Sequence, residues 1–159
     1  MLATELECKE HELQKHLGTL TDNIFSDSSK ILFLEAPVGA GKTTFIRNLL
    51  SYLGFNQVFQ SPTFVFKKEY IFFSPILKKE IKTVHADFYR VQEDDMVNAF
   101  LQEEANLKIA EWGSLVFNKD FLQKNLILQI VSFIDYEYIY KTQPLKNFNK
   151  RKYQLLKTD

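Results

Sequence analysis

The sequence predicts an α/β fold, a three-layer α/β/α sandwich around a mixed, mostly parallel central sheet. Three observations predict it. Residues 31–44 run from an apolar stretch, Ile31-Leu32-Phe33-Leu34, through a small-residue loop into Gly41-Lys42-Thr43, a strand-loop-helix pattern. Helical and extended segments alternate through the first half of the chain, the order that puts helices on the faces of a parallel sheet. The second half interleaves hairpin-like pairs, which add antiparallel strands.

Taken in order, Leu2, Thr4, Leu6 and Cys8 alternate with other residues and predict a short first strand. Leu13, Leu17, Leu20 and Ile24 follow helical spacing, so residues 9–25 are expected as an amphipathic helix. Residues 26–30, Ser-Asp-Ser-Ser-Lys, are a polar loop. After the apolar strand, Phe45, Leu49, Leu50 and Leu53 mark the buried side of a helix, with Gly54 placed to end it in a left-handed cap. Val58-Phe59, residues 63–70 and residues 81–88 read as extended, with a turn at Ser74-Pro75 between the last two. Residues 93–105 predict a polar helix whose Asp94 and Asp95 complement the positive end of its dipole. Residues 107–112 form a further strand, and residues 126–140 hold one bent strand or two paired ones. The expected organisation is a single domain over residues 1–140 followed by a basic C-terminal extension, residues 141–159.

At 159 residues the chain is long enough to bury an ordinary core. Its formal net charge is zero, so no global field marks a nucleic-acid binder. One cysteine, Cys8, excludes an intrachain disulfide and suits a reducing compartment. Glu5, Glu7, Glu10 and Glu12 occupy the start, where a secretory signal would be apolar. No run is long enough to span a bilayer, and the expected location is the cytoplasm. His11, His16 and His85 stand too far from Cys8 and from one another to suggest zinc.

Gly39-Ala40-Gly41-Lys42-Thr43-Thr44 is a phosphate-binding loop (P-loop) in the context that gives the motif meaning. Phosphates held there meet backbone N–H groups, the positive end of a helix dipole and a lysine. The first position of G-x-x-x-x-G-K-[ST] is Ala36, which fits only with negative φ. Hydrolysis or transfer also requires a magnesium shell and a group that orients the nucleophile. Three segments offer these.

In Ser61-Pro62-Thr63-Phe64, the proline stiffens the turn that presents the Thr63 hydroxyl. Thr63 reads either as a switch-like metal and γ-phosphate contact or as part of a plain strand-initiating turn. In His85-Ala86-Asp87-Phe88-Tyr89-Arg90, strand alternation puts Val84, Ala86 and Phe88 on one face and His85, Asp87 and Tyr89 on the other. Asp87 either joins the Mg²⁺ shell or pairs with Arg90, and His85 is either catalytic or a satisfied core residue. Glu111 ends an apolar strand beside Trp112, where a carboxylate can polarise a lytic water. Trp112 reads as core or as a base-stacking platform.

These segments, in this order after this loop, resemble the TsaE family, the small bacterial ATPase of tRNA threonylcarbamoyladenosine synthesis. The family pattern GxxGAGKTT, SPTF, H-x-D-x-Y-R, E-W is met, apart from Ala36 at its first glycine, by residues 36–44, 61–64, 85–90 and 111–112, and Tyr70 matches a family tyrosine. The resemblance spans roughly residues 1–135. It implies a P-loop NTPase fold, ATP with Mg²⁺, and work with a TsaB–TsaD transferase core that modifies adenosine-37 of tRNA. It further implies that Lys42 holds the β/γ-phosphates, Thr43 the metal, and Thr63 a switch-like contact. Asp87 would join the metal shell, and Glu111 the shell or the water. Hydrolysis would be weak alone and would reset the partner rather than transfer the carbamoyl group.

Three departures stand out. They are Ala36, a segment at residues 71–80 longer than the usual hairpin connection, and the basic stretch Lys141, Lys146, Lys150, Arg151, Lys152 and Lys157. That stretch reads as a solvated end or as a contact to tRNA phosphates. A small-molecule kinase is the main alternative, but Arg47, Arg90 and Arg151 are the only arginines and leave little material for a lid. A GTPase is a weaker rival, because Asn118-Lys119-Asp120 puts its aspartate one position too early. A third is a binding module that uses ATP as a clamp with negligible turnover.

Overall fold

Strand β2 (Ile31–Glu35) sends alternate side chains to opposite sides, and two separate cores follow from that alternation. Leu32 and Leu34 join one core with Leu13, Leu17, Leu20, Phe45 and Leu49; Ile31 and Phe33 join the other with Val84, Phe88 and Phe100. The sheet is thus covered on both faces, as predicted for a three-layer α/β sandwich. The computed structural model describes residues 2–27, 31–91, 93–132 and 150–156.

The other strands are β1 (Leu2–Lys9), β3 (Lys67–Ser74), β4 (Lys79–Asp87), β5 (Leu107–Glu111), β6 (Leu126–Ser132) and β7 (Lys150–Leu156). They form one seven-stranded sheet in the order β1-β7-β6-β2-β5-β4-β3. β6, β2, β5 and β4 are mutually parallel, β1 runs with them, and β7 and β3 run against them. The sheet is mixed and mostly parallel. Helices α1 (Leu17–Ser26) and α2 (Lys42–Leu53) cover one face. Helices α3 (Asp94–Gln102) and α4 (Lys119–Gln123) lie on the other.

Helix α2 ends as its sequence requires: Gly54 has φ 113°, and its N–H reaches the carbonyls of Leu50 and Ser51. In α3, Asp94 and Asp95 occupy the first turn. The single helix expected over residues 9–25 divides into a 3-10 segment, Glu10–His16, and α1. Residues 63–65 are turns rather than strand, and Phe66 bends at φ 66° before β3 begins. Val58-Phe59 is also not a strand; Phe59 instead stacks on Tyr70, ring centres 5.7 Å apart. Residues 71–80 are no added loop, since Ile71 to Ser74 pair with Lys82 to Lys79 and lengthen the β3–β4 hairpin.

The largest correction concerns the C-terminal stretch. Residues 150–156, expected in an extension beyond residue 140, form β7 between β1 and β6. Tyr153 and Leu155 are buried in the core, so alternating burial outweighs the basic composition of this stretch. Lys152 pairs with Glu5 at 3.0 Å. The second half of the expected 126–140 segment lies outside the described residues. Among the described residues no helix is long and apolar enough to cross a membrane, and Cys8 is a buried free thiol.

Candidate functional site

β2, β5 and β4 end side by side, with Leu34 in register with Glu111 and Glu111 in register with Asp87. Their carboxyl ends therefore deliver two carboxylates to one edge, where loop 36–41 turns the chain into α2. Parallel α/β sheets place ligands in this crevice. Gly39 and Gly41 have φ 77° and 101°, which only glycine adopts without strain. Ala36 is not among the residues of positive φ, so its Cβ is tolerated where the motif has glycine.

Lys42 is buried, and its Nζ donates to the carbonyls of Ala36 (2.8 Å) and Pro37 (3.0 Å). The ammonium also lies 4.1 Å from the centre of the Trp112 ring, a cation–π contact. Burial lowers the lysine's pKa, while Glu111, Asp87 and Glu35 oppose that shift. Trp112 is half-buried at φ 60°, with Tyr89 against it at 5.1 Å between ring centres. It packs on the second core, as one of its two readings expects, and its remaining surface lines the cavity.

Glu111 is 3 % exposed, and its Oε1 lies 2.7 Å from His85 Nε2. His85 is fully buried beneath Phe59, ring centres 6.1 Å apart. The predicted alternation of β4 holds: Val84, Ala86 and Phe88 enter one core while His85 faces the other side. Asp87 Oδ1 accepts the Tyr89 N–H at 2.9 Å, a local turn rather than the ion pair with Arg90 that is the alternative to a metal-shell role. Thr63 is exposed, its hydroxyl 2.9 Å from that of Ser61.

A cavity of about 510 Å³ joins these groups. Of the residues singled out in the sequence, Gly39, Gly41, Lys42, Thr43, Thr44, Thr63, Asp87 and Glu111 line it. Ala40 does not; its side chain is buried and its N–H turns back to the Pro37 carbonyl. Arg90, Tyr89 and Arg151 also line the cavity. Nothing local in the sequence marks Arg151, because it arrives from a strand 110 positions after the loop (residue 151 against 41). The role of His85 as the partner of Glu111 likewise depends on register, not on spacing.

Among the described residues no three His, Cys, Asp or Glu side chains form a group able to hold a metal unaided. Thr43, Asp87 and Glu111 offer a hydroxyl and two carboxylates, all hard oxygen donors. Such a set fits Mg²⁺ completed by phosphate oxygens and water, and does not fit a softer metal.

A family profile described as threonylcarbamoyl adenosine biosynthesis protein TsaE matches residues 7–137. The tRNA threonylcarbamoyladenosine biosynthesis protein TsaE of Bacillus subtilis (strain 168) is 33 % identical over 95 residues, 58 % of this chain and 56 % of that protein. Its counterpart from Nostoc sp. is 30 % identical over 99 residues, 62 % of this chain and 57 % of that one. The chain thus aligns with little more than half the length of these relatives. The crystal structure of YdiB from Bacillus subtilis superposes with a TM-score of 0.59 at 20 % identity, covering 98 % of this chain and 86 % of that one. That likeness supports the fold.

Proposed function

Since the chain belongs to the TsaE family, we propose that it is the Mg²⁺-dependent ATP-binding and hydrolysing subunit of tRNA N6-threonylcarbamoyladenosine-37 modification. It acts in the cytoplasm and cycles a TsaB–TsaD-type transferase complex, through which it meets tRNA indirectly; it needs neither membrane nor disulfide partner. The observation that carries this reading is the single cavity where a glycine loop, a buried lysine and two register-paired carboxylates converge.

On this reading the backbone N–H groups of Gly39, Gly41, Lys42, Thr43 and Thr44, at the start of α2, cradle the phosphates. Lys42 leaves the two loop carbonyls for the β/γ-phosphate oxygens, exchanging neutral acceptors for charged ones. Thr43, Asp87 and Glu111 would hold Mg²⁺, which when bound supplies positive charge against the phosphates. Glu111 also accepts a hydrogen bond from the attacking water, and His85 fixes the carboxylate's orientation by holding Oε1. Thr63, exposed at the rim, contacts the γ-phosphate in a switch-like manner.

A small-molecule kinase using the same loop is the second reading, favoured by two arginines, Arg90 and Arg151, at the cavity. Against it, Arg151 stands on a strand bonded on both sides and cannot close as a lid. ATP and GTP turnover, measured with and without the transferase complex, decides between them. Slow hydrolysis of ATP that accelerates with partner is expected. Robust phosphoryl transfer to a small metabolite without partner response overturns the proposal.

A further inference from the structure

We propose that Arg151 is a phosphate-contacting residue of this cavity, supplied by the last strand and held over the loop by an exchangeable counter-ion, Glu10. The inference rests on reading the cavity as a nucleotide site. β7 is in register with β1 through Arg151 and Cys8, and with β6 through Arg151 and Ser132. This pairing anchors the arginine backbone in the sheet. The side chain extends over the phosphate loop. A Cβ added to Gly41 would lie 2.9 Å from both Cζ and Nη1 of Arg151 and 3.2 Å from Nε. Three guanidinium atoms at nearly equal distance mean that the planar group rests on the loop backbone at this point. Glycine at position 41 therefore does two things: it adopts φ 101° and it leaves room for the arginine.

The Arg151 side chain is largely withdrawn from solvent, 17 % exposed, and lines the cavity with Lys42 and Thr43. Arg151 Nη1 donates to Glu10 Oε2 at 2.9 Å, but the Glu10 side chain is 44 % exposed. An exposed carboxylate is a weak holder, and an arginine fork has further donors to give. Phosphate oxygens bind the same fork through bidentate, charge-assisted hydrogen bonds. The start of α2 is where backbone N–H groups cradle the α/β-phosphates of a P-loop ligand. Arg151 on Gly41 therefore meets the part of the ligand that ATP and ADP share, not the γ-phosphate. When it does, Glu10 is released, and Glu10 belongs to the 3-10 segment between β1 and α1. Nucleotide occupancy is thereby transmitted to the N-terminal segment.

The test uses the full chain and reads equilibrium binding of fluorescent ATP and ADP to wild type, Arg151→Ala, Arg151→Lys and Glu10→Gln. Arg151→Ala is expected to weaken both nucleotides about ten- to hundredfold, the loss of charge-assisted hydrogen bonds. Arg151→Lys should fall between it and wild type, and Glu10→Gln should bind a few-fold more tightly. Opposite signs for the two halves of one ion pair are the signature. If the pair merely braces the fold, both variants weaken binding together, or neither changes it, and the proposal is overturned. Selective loss of ATP with ADP unchanged overturns the assignment to the shared phosphates. Wild type that binds neither nucleotide overturns the reading of the cavity itself, a separate result. Lys152→Gln, on the same strand and paired to Glu5, controls for the stability of β7 and is expected to bind as wild type does.

Discussion

At the amino-terminal ends of β2, β5 and β6 lies a cavity of about 920 Å³, lined by Lys82, Glu103, Lys108 and the end of α3. The cavity of about 510 Å³ described above lies at the opposite, carboxyl-terminal ends of β2, β4 and β5. Around the larger cavity the charges answer one another. Lys67 and Lys82 each approach Glu103 to 2.6 Å, and Lys108 donates to the Leu101 carbonyl at 2.6 Å. In the smaller one a buried lysine and two buried carboxylates face a common space, and the lysine's partners are neutral carbonyls.

Chain direction explains the difference. A parallel sheet gathers helix N-termini at the carboxyl ends of its strands, so N–H groups and positive dipole ends point into that crevice. The other end gathers helix C-termini, whose carbonyls attract lysines of the same chain. Volume does not identify a site; the polarity of the backbone around it does.

The largest expected effect tests that contrast directly. Glu111→Gln should lower ATP turnover at least about 100-fold while nucleotide affinity stays within a few-fold, since it removes a charge that acts on the water. Partner-stimulated hydrolysis at the wild-type rate in this variant would dismiss the role given to Glu111. Asp87→Ala should likewise abolish turnover.

Next in size, Lys42→Ala should weaken nucleotide binding about ten- to hundredfold in a titration, whereas Lys82→Ala at the larger cavity should leave it within about twofold. Equal losses for the two lysines would erase the distinction between the ends of the sheet.

Gly113→Ala should cost about 1–3 kcal/mol in urea unfolding, because its Cβ would collide with the Phe33 ring in the core behind Trp112. Wild-type stability would mean that Phe33 yields freely.

The smallest effect concerns pH. Glu103 is held at a pKa of about 2, below its ordinary 4.5, by hydrogen bonds from Lys67 first and Lys82 second. A lowered carboxylate pKa stabilises the fold fully above pH 4.5, and the contribution disappears as pH falls towards about 2. Glu103→Gln should therefore remove at most about 1 kcal/mol at neutral pH and flatten the acid limb of a thermal-unfolding profile. An unchanged acid limb would show that this ion-pair cluster carries no pH dependence.

Much of the fold was legible where one residue type has one physical use. Gly54 ends α2, Gly39 and Gly41 turn the loop, and the unbroken apolar run from Ile31 to Leu34 is the buried strand β2. Legibility failed where local preference and tertiary pairing disagree. Six basic residues after residue 140 suggest a solvated end, yet Tyr153 and Leu155 draw residues 150–156 between two strands of the sheet. Residues 63–66 have strand-like composition, but Pro62 and the left-handed Phe66 make them a turn. The short α4 rests on one cap, the Asn118 side chain accepting from the Phe121 N–H, too small a signal to stand out beforehand.

The sequence by itself determined the glycine loop, the order of the motifs that follow it, and the strand face that His85 and Asp87 share, whereas Tyr89 lies in the turn after β4. All of these depend on spacing along a regular backbone. Only the tertiary structure decided that Asp87 and Glu111 stand side by side, that His85 holds Glu111, and that Arg151 returns from the far end of the chain to rest on Gly41. Those contacts depend on strand order and register, which are set by how the whole sheet buries its two faces.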